Sequence, residues 1–190
     1  RDVADFVRGT DINDQTKAAA AKTSEEAMTY LTRAIRESQK FTPAMATYDE
    51  TTRRQLHMLR LSGQTTPDDP AKATELAQLL TQMDSVYGEG KVCDKNKACK
   101  DLGELSDVLA TSRKPAELLA AWQGWHETVG RQIKPLYERF VTLANEGVRV
   151  GGFDDVSQLW LSRYDVPPAE VVAEADRLWG QVQPLYQDLH

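Results

Sequence analysis

Cys93 and Cys99 are the only cysteines of this 190-residue chain, and Asp94-Lys95-Asn96-Lys97-Ala98 lie between them. In a polar loop this spacing permits a disulfide, and loop-closure entropy gives so short a bridge roughly 2 kcal/mol. It also permits half of a metal site. Zinc wants four ligands, however, and no third or fourth Cys or His lies nearby in sequence. Two free thiols in a reducing compartment are the third possibility. The disulfide is the expectation, and with it an oxidising compartment. The histidines are His57, His126 and His190. None stands in H-E-x-x-H, and no two share a helix face. His126 precedes Glu127 but has no second His four residues on, so a hydrogen-bonded structural role is expected for it. Nucleophile elbows, phosphate-binding glycine loops and dinucleotide fingerprints are absent; Gly88-Glu89-Gly90 lacks the strand and helix context and reads as a loop. Asp68-Asp69 and Asp154-Asp155 stand where helices begin, so they read as caps. Hence no catalytic residue and no metal ligand is expected in this chain.

Helices must position whatever these residues do. Leu76, Leu79, Leu80, Met83 and Val86/Tyr87 follow one helical face. Asp69 caps that helix, Pro70 suits its first turn, and Gly88 suits a left-handed C-terminal cap. Leu118, Leu119, Trp122, Trp125, His126 and Val129 form a second face, begun at Pro115 and ended at Gly130. Core packing is expected for Trp122 and Trp125; the alternative is a wall of a peptide- or ligand-binding groove. Ile133, Leu136, Tyr137, Phe140, Leu143 and Ala144 form a third face, ended near Gly147 or Gly151. Val171, Val172, Ala175, Leu178, Trp179, Val182, Leu185, Tyr186 and Leu189 form the longest, with Pro168 near its start and Pro184 predicted to kink it. A long helix from about Asp14 to Lys40, a short one from Asp49 to Leu61, and others around Leu105 and Val156 complete an all-α reading. No convincing β alternation, repeat or domain linker appears, so residues 1–190 read as one helical segment. Arg1 to Val7 reads as the tail of a helix cut short, and Leu189-His190 ends the best helix without a stop signal. Both suggest a piece of a larger protein.

Composition narrows the partners. Charged residues make up 27% of the chain, hydrophobic ones 41%, and the net charge is -6. Acidic and basic residues are interspersed, with no basic stripe, which argues against nucleic acid. No apolar run approaches the ~20 residues that span a bilayer. There is no N-x-[ST] glycosylation acceptor.

The segments ATSRKPAELLAAWQGWHETVG (110–130), YGEGKVCDKNKAC (87–99), PLYERFVTLANEG (135–147), GFDDVSQLWLSRYD (152–165) and LWGQVQPLYQDLH (178–190) occur in an order that resembles the angiotensin-converting-enzyme family of zinc peptidyl-dipeptidases. The resemblance runs from about residue 10 to the end. The W-x-G-W helix, the two-cysteine loop and the L-x-P-L-Y-x-x-L-H ending are specific together, though each alone is weak. The resemblance implies a large, almost wholly helical fold with two lobes and a central channel. It implies release of dipeptides from peptide C-termini by one zinc, held by H-E-x-x-H and a later Glu downstream of the matched region. The chain then supplies lid helices and one channel wall, its partners being peptide substrate and the remaining C-terminal portion of the catalytic domain. The matched cysteine pair is a disulfide in the family. Chloride sites in animal members map onto Tyr164 and His126. At His126 the family has Arg, and a neutral imidazole holds chloride much less well than a guanidinium; the Arg partner matching Tyr164 lies beyond His190. The short loops and Ala/Asp-rich makeup look more like a bacterial member, and a periplasmic or secreted location follows. The alternatives are a stand-alone helical peptide-binding or scaffold protein, and a stable fragment without catalysis.

Overall fold

A computed structural model describes residues 1–189, and the all-α class holds across them. Helix α1 spans Asp2–Thr10 and α2 Asp14–Ser38. A 3-10 stretch, Gln39–Thr47, leads to α3, Glu50–Leu61, and then to α4, Pro70–Glu89. Two two-residue strands, Val92–Cys93 and Cys99–Lys100, pair antiparallel with Cys93 opposite Cys99. Helices α5 (Leu102–Thr111) and α6 (Pro115–Trp125) follow, then a π turn over His126–Gly130, α7 (Arg131–Val148), a 3-10 turn, α8 (Val156–Leu161) and α9 (Pro168–Leu189). His190 lies outside the described residues.

The helix starts are set by side-chain carboxylates, which satisfy backbone N–H groups that have no partner in the first turn. Asp49 accepts from Thr52 N–H at 3.0 Å and Asp69 from Ala71 N–H at 2.9 Å. Asp155 accepts from Gln158 N–H at 2.9 Å. Asp101 and Glu104 form a reciprocal capping box on α5, each side chain bound to the other's backbone N–H at 2.9 Å.

Two glycines behave differently from the sequence reading. Gly88 does not terminate α4, which continues to Glu89 and is capped by Gly90 at φ −58°. Its missing side chain serves packing instead: a Cβ there would stand 2.9 Å from Ile12 Cδ1. Gly130 does not end the Trp-rich helix either. Arg131 after it is right-handed helical, and its N–H reaches back five residues to the His126 carbonyl. The chain is therefore helical from Pro115 to Val148, with one wide turn inside it. Pro135 lies four residues beyond Arg131, cannot donate to that residue's carbonyl and crowds it. The wide turn comes just before that position. The stop comes at Gly152, whose φ of +84° is the left-handed conformation expected of a C-terminal glycine.

The chain falls into two compact units. The first comprises residues 1–30 and 66–143. In it α2 and α4 run antiparallel, tied by Lys17–Glu89 at 3.0 Å and by Thr74–Glu25 at 2.8 Å. Helix α7 is held to α4 by a two-bonded Arg139–Glu75 fork at 2.7 and 2.6 Å. Leu76, Ala77, Leu105, Val129, Phe140 and Leu143 are buried in this unit. The second unit comprises residues 31–65 and those from 144 onward. It buries Ile35, Leu61, Val148, Val156 and Leu159. The buried Thr65 hydroxyl there donates to the Gly147 carbonyl at 2.8 Å.

Candidate functional site: the disulfide hairpin and the tryptophan helix

The two-cysteine loop is closed by a Cys93–Cys99 disulfide. Asp94 shapes the turn from inside, its carboxylate accepting from Asn96 N–H at 2.8 Å and Ala98 N–H at 3.0 Å. Lys97 takes the positive φ, +63°, that a tight turn requires. With both thiols in the bridge, neither metal-pair nor free-thiol chemistry is open to them.

The stem of this hairpin docks on α6. A Cβ on Gly124 would lie 2.6 Å from Val92 Cγ1, and a Cβ on Gly90 would lie 2.7 Å from both Trp125 Cη2 and Val129 Cγ2. The glycine inside W-x-G-W is thus the seat of Val92, next to the disulfide. Two sequence motifs that look independent are one packing unit. Trp125 completes it with an edge-on contact to Tyr87, ring centroids 5.6 Å apart. Beside the hairpin, α5 and α6 leave a cavity of about 380 Å³ walled by Val92, Leu105, Val108 and Ala121.

Trp122 does not join the core. It is 53% exposed and stacks on His126 at 4.2 Å between centroids. Three residues turn a helix through about 300°, so Trp122 stands about 60° away from Trp125. Only Trp125 meets the hairpin stem. The hydrogen-bonded reading of His126 holds: its Nδ1 lies 2.7 Å from the Trp122 carbonyl. A carbonyl only accepts, so Nδ1 carries the proton in this contact.

Tyr164 lies in the turn after α8, 62% exposed, its N–H bonded to the Leu161 carbonyl at 3.2 Å. Its neighbour Asp165 faces Arg54 at 3.9 Å. His126 and Tyr164 belong to different units. His57 is exposed on α3. Among the described residues no three His, Cys, Asp or Glu side chains converge on a metal-sized site. The donor set of the described residues does not fit a zinc centre. No helix of the described residues is long and apolar enough to cross a membrane.

Sequence reasoning did not find the partners of Gly90 and Gly124. Their signal was present as small residues flanked by large ones, Gly90 between Glu89 and Lys91 beside the loop and Gly124 between two tryptophans. The facing Val92 could not be assigned without the hairpin. The D-x-x-E capping signal of Asp101 and Glu104 was also legible and went unread.

Comparison with known proteins bears on the whole chain. The family model described as angiotensin-converting enzyme, Peptidase M2, matches residues 2–190. Angiotensin-converting enzyme of Oryctolagus cuniculus is 44% identical over 123 residues, 63% of this chain and 9% of that protein. The enzyme of Rattus norvegicus is 45% identical over 115 residues, 59% of this chain and 9% of that protein. Angiotensin-converting enzyme-like protein Ace3 of Mus musculus is 39% identical over 117 residues, 61% of this chain and 16% of that protein. The aligned part of the chain therefore spans under a fifth of the length of these relatives. The family match takes in the disulfide hairpin and the tryptophan helix that packs on it, and the chain belongs to the angiotensin-converting enzyme family of peptidases.

Proposed function

We propose that this chain is the N-terminal part of the catalytic domain of a zinc peptidyl-dipeptidase, acting outside the cytoplasm. Residues 1–190 form one helical segment of that domain. They supply lid helices and a channel wall, and no zinc ligand. The family match along residues 2–190 carries the reading. In the complete enzyme, zinc held by residues outside this chain would supply Lewis-acid activation of the scissile carbonyl and of water. The residues of this chain exclude water and folded protein and admit extended peptide. The Cys93–Cys99 bridge supports an oxidising compartment, periplasmic or secreted.

A second feature supports the partner assignment. Helix α9 has no buried residue over its 22 positions, although Leu178, Val182, Leu185 and Leu189 repeat at helical spacing along it. Trp179 and Tyr186, 5.5 Å apart between centroids, add aromatic area to that face. Such a surface fits the remaining C-terminal portion of the catalytic domain.

The test is direct. The purified 190-residue chain, given zinc, is expected to release no dipeptide from a peptide with a free C-terminus. The gene is expected to continue past His190 into an H-E-x-x-H motif. Chelator-sensitive dipeptide release by the 190-residue chain would overturn the assignment of zinc ligands elsewhere. A stop codon after His190 would favour the stand-alone binding protein.

A further inference from the structure

Between α2 and α4, within the first unit, lies an open groove of about 540 Å³. Its floor is built from small side chains, Ala18 and Ala21 on α2 and Thr81 and Ser85 on α4. Its ends are closed by Lys17 paired with Glu89 and by Thr74 hydrogen-bonded to Glu25, whose carboxylate keeps its charge because its partner is a neutral hydroxyl. What remains unmatched lies in the middle. Thr81 is only 6% exposed, and among the described residues its hydroxyl has no hydrogen-bond partner. A mid-helix threonine ordinarily bonds its hydroxyl to the carbonyl one turn back; Ser85 does so, to Thr81 O at 2.7 Å. Gln78, Gln82 and Lys22 line the rim, and their side chains too have no partner among the described residues. A nearly buried hydroxyl, two carboxamides and an ammonium without an ion pair among the described residues therefore face one groove.

The spacing selects the ligand. Gln78 and Gln82 are four residues apart on α4, a rise of about 6 Å. In an extended peptide, groups on the same side repeat about every 6.6 Å. A carboxamide donates and accepts at once, as a peptide group does, so the pair is in near register with alternate residues of an extended backbone. From Thr74 to Glu89 the groove is about 22 Å long, room for about six extended residues. Lys22 adds the preference for a carboxylate.

We propose that the α2–α4 groove binds a short extended peptide, with Gln78 and Gln82 holding its backbone, Thr81 bonding a peptide group at the floor, and Lys22 pairing with its carboxylate. The ligand class rests on the peptidase reading above; the site rests on the groove's own residues.

The probe is N-acetylated hexa-alanine with a free C-terminal carboxylate, compared with its C-terminal amide. Both are titrated into the isotope-labelled 190-residue chain at low salt, and amide shifts are followed by NMR. The acid form is expected to shift resonances of residues 17–25 and 74–89 and to bind more tightly than the amide, on the order of tenfold. Lys22→Gln is expected to erase the acid–amide difference, and added salt to shrink it. The double substitution Gln78→Ala, Gln82→Ala is expected to weaken both forms on the order of tenfold. Ala21→Leu keeps a good helix former while filling the floor, and is expected to abolish binding; circular dichroism confirms that each variant is folded. Shifts that map to another surface, equal affinities for acid and amide, or variants that bind like the parent would each overturn the groove assignment, as would no binding at millimolar peptide. None of those outcomes touches the peptidase reading, which fails separately if the chain alone releases dipeptides.

Discussion

Helices α7 and α9 carry similar apolar stripes and meet opposite fates. In α7, Phe140, Leu143, Ala144 and Val148 are buried. In α9, Leu178, Trp179, Val182, Leu185, Tyr186 and Leu189 are each about half exposed or more, and no residue of the helix is buried. Helical period specifies a face; it does not specify that the facing element lies in the same stretch of chain. Helix α7 has its neighbour close at hand, since the Arg139–Glu75 fork holds it to α4. That fork, by donating two hydrogen bonds, also holds the Glu75 carboxyl below its usual range. Isolated helices are marginal in water, and most helical stability in proteins comes from packing one face. Helix α9 meets α8, but its apolar stripe is left uncovered among the described residues.

The sharpest way to break this contrast is a matched pair of truncations. Leu143→Ala removes a side chain with no exposed surface and is expected to cost about 2–5 kcal/mol in urea denaturation of the 190-residue chain. Leu185→Ala, at 63% exposure, is expected to stay within about 0.5 kcal/mol. Equal costs would mean that α9 is packed in solution and would remove the unpartnered face from the argument. The contrast sharpens if a longer chain, extended past His190, makes Leu185→Ala as costly as Leu143→Ala.

A smaller effect is expected at the hairpin, which unlike α9 is held both covalently and by packing. Cys99→Ser, which leaves Cys93 unpaired, is expected to lower stability by roughly 2 kcal/mol through the freed loop. The loss should be concentrated locally, in faster amide exchange of Val92 and of the residues around Gly124, because Val92 is seated where that glycine has no side chain. Unchanged exchange at Gly124 would show that the stem stays docked without the bridge, leaving the disulfide only its loop to hold.

These contrasts also mark what could be read from the residues. The helices, the Asp69 and Asp155 caps and the bridged loop were legible, because each rests on interactions within a few residues of sequence. Gly88 and Gly130 were misread for the same reason. A glycine after an apolar stripe looks like a stop, but Gly88 answers to Ile12, and the chain at Gly130 simply stays helical. Trp122 was assigned to the core because a shared stripe does not resolve the roughly 60° between positions three apart. The α2–α4 groove was invisible in sequence, since its residues come from segments joined only by tertiary packing. The exposed stripe of α9 was readable as a stripe, while its lack of cover depends on everything placed around it.

The smallest expected effect concerns the helix starts, and it again separates a locally satisfied element from α9. Asp155 caps α8; the Ser157 hydroxyl, donating at 2.6 Å, and the Gln158 N–H hold its carboxyl below the ordinary value of 3.8. Because the folded value is lower than the unfolded one, the cap's contribution is fully present above about pH 4 and is lost as pH falls through the folded value. On α9, Glu174 is also lowered, by the hydrogen bonds of Arg177 three residues on. That pair is exposed, at 2.6 and 2.5 Å, lies within one helical turn and caps nothing, so its protonation should leave the helix start unchanged. Acid titration followed by amide exchange is therefore expected to loosen Val156–Gln158 as pH falls below about 4. The first turn of α9 should show no step tied to Glu174. Asp155→Asn retains a capping oxygen without a titrating group and should flatten the α8 response while leaving the helix in place. If the Asn variant loosens over the same pH range as the parent, the acid sensitivity arises elsewhere and the cap is not its source.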